Sequence, residues 1–230
     1  MKRTFRKCFF STLDTTTEFL NDGTTYIFTG DIPAMWLRDS SAQVIHYLYF
    51  ADVDDDVKNM IKGLLRRQFR YILTDPYANA FNKEANNMGH KGDITQQNEW
   101  VWERKYEVDS LCYPIWLCYR YYQKTKDTEI FDPLFISACS TVLDVFTTEQ
   151  DHSKSPYFHY RPDAPAEMSV PNGGKGGKVS VNGLTWGGYR PSDDPCQYGY
   201  LIPSNMFATV ILGYMKEIFA SVAPNAAMYA

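Results

Sequence analysis

Four short stretches concentrate the residue types that could do chemistry. They are Ile32-Pro33-Ala34-Met35-Trp36-Leu37-Arg38-Asp39, Asp75-Pro76-Tyr77-Ala78-Asn79-Ala80-Phe81-Asn82, Trp100-Val101-Trp102-Glu103-Arg104-Lys105-Tyr106-Glu107-Val108-Asp109 and Thr185-Trp186-Gly187-Gly188-Tyr189-Arg190-Pro191-Ser192-Asp193-Asp194. Each mixes aromatic rings with carboxylates, Asn or Arg. Charged groups beside Trp in a plain core would have to be desolvated and paired, so one shared polar pocket accounts for all four together. A pyranose fits such a pocket, because it offers a flat C–H face to Trp or Tyr and a ring of hydroxyls to Asp, Asn and Arg. Taken singly, each stretch could equally be a helix cap or a surface ion pair.

Hydrolysing a glycoside asks for more than binding. One carboxylic acid must protonate the leaving oxygen, and a second carboxylate must act as base on water or as nucleophile on carbon. Asp193-Asp194 is the acid candidate, since adjacent like charges raise a carboxyl pKa and Pro191 and Pro195 stiffen the loop that presents them. The competing reading is a helix-capping pair. Other chemistries find little support: His46, His90, His152 and His159 form no HExxH-like pattern, and no Ser lies in a Gly-x-Ser-x-Gly elbow. Asp31, Asp39 and Asp75 lack the spacing of a calcium loop. The Gly/Lys-rich stretch from Asn172 to Val179 departs from a phosphate loop at both ends and reads as a hairpin turn. No metal and no cofactor are expected.

The elements that must position these groups are mostly helices. Val57, Ile61, Leu64, Leu65, Gln68 and Ile72 recur at helical spacing behind Asp54-Asp55-Asp56, and the basic residues of Lys62–Arg70 read as that helix's solvated side. Asp39 or Ser40 could cap a helix through Val44, Tyr47, Leu48 and Ala51; another runs beyond Asp109 through Leu111, Ile115, Cys118 and Tyr122, with Pro114 in its first turns. Pro133 could start a fourth and Ser204 or Asn205 cap a fifth, while Phe9, Leu13 and Leu20 suggest one at the amino end. Strand signals are few, at Thr24–Thr29 and in a short hairpin at Lys178–Val181.

Composition narrows the class. The 230 residues can bury a substantial core, and a net charge of −4 has the wrong sign for neutralising phosphates, so nucleic acid is not an expected partner. Five Cys without a CxxC pair suggest neither a disulfide framework nor a zinc site. No run approaches a membrane span and the amino terminus does not read as a signal peptide, so no membrane partner is expected and a cytoplasmic, reducing location is.

Longer matches carry a resemblance. Thr29-Gly30-Asp31-Ile32-Pro33-Ala34-Met35-Trp36-Leu37-Arg38-Asp39-Ser40, the stretches from Asp75 to Glu84 and from Val101 to Pro114, and Arg190-Pro191-Ser192-Asp193-Asp194 through Phe207 resemble the metal-independent exo-α-1,6-mannosidases of glycoside hydrolase family 125. The resemblance implies an all-α fold, an (α/α)6 barrel with short β-hairpin decorations, and removal of a terminal α-1,6-linked mannose with inversion. It implies Asp193 as the general acid. It also implies that Arg38, Asp39, Asn79, Phe81, Glu107, Asp109, Trp186 and Arg190 line the terminal-mannose pocket, with Trp186 stacking on the sugar and Arg38 and Asp39 holding adjacent hydroxyls.

Two departures accompany the resemblance. Family members run to roughly twice this length, as a complete barrel of twelve ordinary helices requires, and Pro162–Ser169 diverges from the family pattern. The expectation is therefore a single partial domain over residues 1–230, about half a barrel, whose general base lies in a missing carboxy-terminal half. That half is an expected partner beside a mannose-containing oligosaccharide. The chain alone is expected to be inactive or nearly so. The alternatives are a non-catalytic mannose-binding module and another (α/α)6 glycosidase acting on glucosides.

Overall fold

A computed structural model describes residues 1–221. The fold is mostly helical, and among the described residues six α-helices form its body: α1 (Lys2–Thr15), α2 (Leu37–Val44), α3 (Asp55–Thr74), α4 (Val108–Thr125), α5 (Pro133–Glu149) and α6 (Ile202–Ser221). α4 is the hub, packing against α2, α3, α5 and α6, while α5 lies chiefly along α3. The interior of these contacts is apolar, with Leu64, Leu65, Phe69, Leu111, Ile115, Cys118, Phe135 and Ile211 fully buried in one cluster. Among the described residues no helix is long and apolar enough to cross a membrane.

Local chemistry explains where the helices start. The Asp54 carboxylate accepts from the Asp56 and Val57 amides, and Asp132 does the same for Leu134 and Phe135 ahead of Pro133. α2 differs from expectation: it starts at Leu37, before Asp39 and Ser40, with Trp36 at the cap and no side-chain cap bond. Its entry is fixed instead by a sheet, because the Leu37 N–H donates to the Asn79 carbonyl at 3.1 Å. α2 then tightens into a 3-10 turn over Ile45–Phe50. α6 likewise starts before Ser204, and Pro114 sits in the second turn of α4. Arg67 corrects the picture of a solvated basic side on α3: it is buried, donating to the Tyr71 hydroxyl and the Lys83 carbonyl.

Two small antiparallel sheets complete the frame. β1 (Thr17–Phe19) pairs with β2 (Thr25–Ile27), within the segment read as a strand. β3 (Met35–Trp36), β4 (Ala80–Phe81) and β5 (Val101–Glu103) form the second, with β4 in the middle. No strand forms at 178–181, so the expected hairpin there is absent. The second sheet matters most for function. It sets side by side the strand that runs into α2, the Asn79 turn ahead of β4, and the strand that leads toward α4, so three of the four chemical stretches converge at one edge.

Candidate active site

The fourth stretch joins them through a backbone dock. The amides of Gly188 and Tyr189 both donate to the Tyr106 carbonyl, immediately before α4, at 3.1 and 3.0 Å. Beyond that dock the chain makes a tight hairpin: the Asp193 N–H donates to the Arg190 carbonyl at 2.9 Å, the Arg190 N–H donates to the Asp194 carbonyl at 2.8 Å, and Tyr189 bridges to Pro195. Pro191 supplies the fixed φ that the first corner needs. Asp193 follows at φ 66°, a left-handed conformation that glycine usually takes at this position of a three-residue hairpin. A carboxylate is therefore held at a strained, solvent-facing corner.

Around this corner stands an acidic cluster built on one cation. Arg38, in the first turn of α2, donates from Nη1 to Glu107 Oε2 at 2.5 Å, and its nitrogens lie 3.4 Å from Asp39 Oδ2 and 3.7 Å from Asp109 Oδ2. Glu107 also accepts from the Ser110 hydroxyl, and Asp109 Oδ1 from Ser204 of α6 at 3.4 Å. Three buried acceptors of this cluster have no hydrogen-bond partner among the described residues: Asp39 Oδ2, Glu107 Oε1 and Asp109 Oδ2. Buried polar atoms left without partners are uncommon in native structures, and three around one guanidinium mark a place for a ligand rich in hydroxyl donors. Among the described residues no group of three His, Cys, Asp or Glu side chains is placed to hold a metal ion.

Burial dominates the protonation of these groups. It pushes Glu107 well above the usual carboxylate range, with Arg38 pulling the other way, and raises Asp109 in the same manner. Asp193 is also raised: burial is the largest cause, Lys105 opposes it and Glu103 adds to it. The adjacent Asp194 is not what raises it. Asp194 is engaged within the turn, accepting from Arg190 at 2.9 Å and from the Ser192 hydroxyl. Arg190 thus braces the turn and is half exposed, instead of reaching the acidic cluster.

Three expected pocket residues sit elsewhere or act through a neighbour. Trp186 is 1% exposed, and the His152 ring covers one face at 3.6 Å, so its indole cannot stack on a sugar. Its role is to fill the space beneath the loop; a Cβ on Gly199, at φ +75°, would stand 2.4 Å from its ring. Phe81 is wholly buried, stacked on Tyr71 with centroids 4.4 Å apart, because its β4 position faces the core. Asn79 is also buried, donating to Glu103 Oε2 at 3.1 Å and accepting from the Lys105 amide at 3.1 Å, so it orients the β5 exit without facing a ligand.

The residues missed from sequence are Glu103, Lys105 and Arg161. Lys105 Nζ lies 3.3 Å from Glu103 Oε1 and 3.8 Å from Asp193 Oδ1, and Arg161 donates to Glu103 Oε1 at 3.1 Å. Glu103 and Lys105 were inside a flagged stretch, where their alternation with Arg104 was the available signal. Arg104 faces away, paired with Asp75 at 2.7 Å. A separate cavity of about 500 Å3, lined by Asp151, His152, Lys175 and Tyr200 among others, shares no residue with the acidic cluster. Chemistry, not volume, places the site.

Asp109 yields a stability test. Its folded-state pKa is raised, so the folded protein holds this proton more tightly than the unfolded chain and loses stability as pH rises through the carboxylate range. Asp109→Asn is expected to melt higher than the parent at pH 7, with the gap closing as pH falls toward 4. Thermal denaturation across that pH range measures it.

Comparison with known proteins identifies relatives of the chain. The family model for metal-independent α-mannosidases, GH125, matches residues 1–230. A solved Streptococcus pneumoniae structure, described as a metal-independent α-mannosidase in a non-productive complex with α-1,6-mannobiose, is 52% identical with a TM-score of 0.93, covering 95% of this chain and 52% of that one. The meiotically up-regulated gene 157 protein of Schizosaccharomyces pombe is 30% identical over 240 residues, 95% of this chain and 47% of that protein. The chain thus spans about half the length of these relatives. By a family match along its whole length, the chain belongs to glycoside hydrolase family 125, the family of metal-independent α-mannosidases.

Proposed function

We propose that this chain supplies the terminal-sugar pocket and the general acid of an exo-acting mannosidase that removes α-1,6-linked mannose with inversion. The observation that carries the reading is the trio of buried carboxyl oxygens on Asp39, Glu107 and Asp109 that gather around Arg38 without a hydrogen bond among the described residues. In it, adjacent hydroxyls of the terminal mannose donate to these carboxylates while the Arg38 guanidinium holds them in place. The α-1,6-mannobiose in the pneumococcal neighbour supports the choice of sugar and linkage.

In this reading the Asp193 carboxyl, its proton affinity raised by partial desolvation, gives its proton to the glycosidic oxygen as the C1–O bond breaks and that oxygen takes the electron pair. A water attacks C1 from the opposite face, and a second carboxylate takes its proton. Inversion needs the two carboxyls about 6.5–9.5 Å apart. We assign the second to the residues that the relatives carry and this chain does not span, within an (α/α)6 barrel of which residues 1–230 are about half.

The test uses the 230-residue chain and a longer protein in which the downstream residues follow it. The chain alone is expected to bind methyl α-mannoside by calorimetry and to leave α-1,6-mannobiose intact, whereas the longer protein hydrolyses it. Turnover by the 230 residues alone refutes the division of labour. A longer protein that binds without turnover points to a mannose-binding module, and one that prefers glucosides to a different glycosidase.

A further inference from the structure

Lys105 lies within ion-pairing range of both the candidate acid and the ion-pair network behind it. Its Nζ is 3.8 Å from Asp193 Oδ1, 3.3 Å from Glu103 Oε1 and 5.4 Å from the centroid of the Tyr189 ring, and the side chain is 10% exposed. Behind it, Glu103 is fixed by Asn79 and by Arg161, and Arg161 in turn makes a two-pronged pair with Asp93 at 2.6 and 2.7 Å. Asp93 also meets His159 Nε2 at 3.0 Å, whose other ring nitrogen is 2.6 Å from the Tyr189 hydroxyl. The chain of contacts returns to Tyr189, at the base of the hairpin that carries Asp193. Both ends of the network therefore bear on one carboxyl.

Such a network exceeds what support of a loop requires. The hairpin is already closed by its own backbone bonds and by the Arg190–Asp194 pair. An ammonium held on a fixed mount, within ion-pairing range of a strained carboxyl but not hydrogen-bonded to it, gains most when that carboxyl becomes charged. Giving up a proton creates that charge.

We propose that Lys105 is a positioning residue for the acid step: mounted on Glu103 and the Tyr189 ring, it aims the Asp193 carboxyl and stabilises the carboxylate left when the glycosidic oxygen takes the proton. The inference rests on the reading of Asp193 as the acid. When the C1–O bond breaks, the leaving oxygen keeps the bonding pair and gains the Asp193 proton, and the negative charge left on Asp193 faces Lys105. Lys105 itself neither gains nor loses a proton. The other charged or titratable groups facing Asp193 are Glu103, Arg38, Asp39 and Glu107; Glu103 is faced by Lys105 and Arg161, and by the His90 ring, whose Nε2 lies 3.6 Å away.

The two arms of the network pull the acid in opposite directions. Lys105 lowers the proton affinity of Asp193 and Glu103 raises it. Lys105→Met is therefore expected to move the Asp193 titration to higher pH, Glu103→Gln to lower pH, and Lys105→Arg to leave it near the parent. A loss of packing would not shift the first two in opposite senses.

The experiment is carbon-13 NMR titration of the Asp193 carboxyl in the 230-residue chain, assigned by Asp193→Asn, for the parent and these three variants. The alkaline limb of kcat/KM for α-1,6-mannobiose in the longer protein is followed beside it. In that protein Lys105→Met should lose about 10–100-fold in kcat with KM within about twofold, and Lys105→Arg should restore most of the loss. An Asp193 titration unmoved in Lys105→Met, or moved the same way in Glu103→Gln, overturns the inference. Should Lys105→Met fail to fold, Glu103→Gln and Lys105→Arg still decide it. Opposite shifts in an enzyme whose turnover survives Asp193→Asn would overturn the acid assignment while leaving the Lys105–Asp193 coupling in place.

Discussion

Asp193→Asn, in the protein that carries this chain with its downstream residues, is expected to lower kcat/KM for α-1,6-mannobiose by about 10³-fold while mannoside binding changes little. The reason lies in what the side chain gives. A sugar alkoxide is a poor leaving group and departs only as it is protonated, and Asn has no proton to offer. The same variant should lose far less on 2,4-dinitrophenyl α-mannoside, whose phenolate leaves without help. The fold should survive, because Asn tolerates the left-handed conformation of residue 193 as well as Asp does. Initial rates on the two substrates separate a lost proton donor from a damaged pocket: the first spares the activated substrate, and the second spares neither.

Arg38→Met carries the second large effect, and it falls on stability as well as binding. The guanidinium is the shared counter-charge of Glu107 and Asp109, both buried, and sits at the junction of β3 and α2. Removing one partner of a buried pair costs about 3–5 kcal/mol, because the other is left uncompensated. Glu107 and Asp109 already have raised pKa values that Arg38 restrains, so without it both move further up. Groups whose folded-state pKa is raised take stability away as pH rises and return it as pH falls. Arg38→Met should therefore be most destabilised near pH 7 and recover part of the loss toward pH 5, opposite to ordinary acid denaturation. Urea denaturation at the two pH values measures it, and mannoside binding should be lost at both.

Much of this site was legible in the sequence because its residue types conflict with a plain core. Arg38-Asp39, Glu107 and Asp109 stand beside Trp and Tyr at strand–helix junctions, and burial without full pairing is what such stretches signal. Pro191 ahead of Asp193 carried the turn, since proline suits its first corner. What sequence could not give was direction. Phe81 and Trp186 have the residue type of sugar platforms, yet a two-residue strand in one case and a glycine-lined loop in the other turn both rings into the core. Asp193 and Asp194 are adjacent in sequence but have different partners, Lys105 for the first and Arg190 with Ser192 for the second, and burial, not their mutual repulsion, is the first cause of the raised Asp193 pKa. Arg161 reaches Glu103 from 58 residues away, a pairing that no local pattern encodes.

The helices divide in the same manner. The starts of α3 and α5 were legible to within a residue or so, because Asp54 and Asp132 cap them locally. α2 began earlier than its polar residues suggested, because a sheet contact from Asn79 sets its first turn. Local capping is written in neighbouring residues; capping by tertiary contact is not.

The central claim is that Asp193 donates the proton in an inverting cleavage of a terminal mannose held on Arg38, Asp39, Glu107 and Asp109. Its most direct measurement is proton NMR of the anomer first released from α-1,6-mannobiose by the longer protein, with Asp193→Asn beside it. β-Mannose should appear first and then mutarotate, and the variant should release none on the same time scale. α-Mannose appearing first, or release by Asp193→Asn at the parent rate, would contradict it.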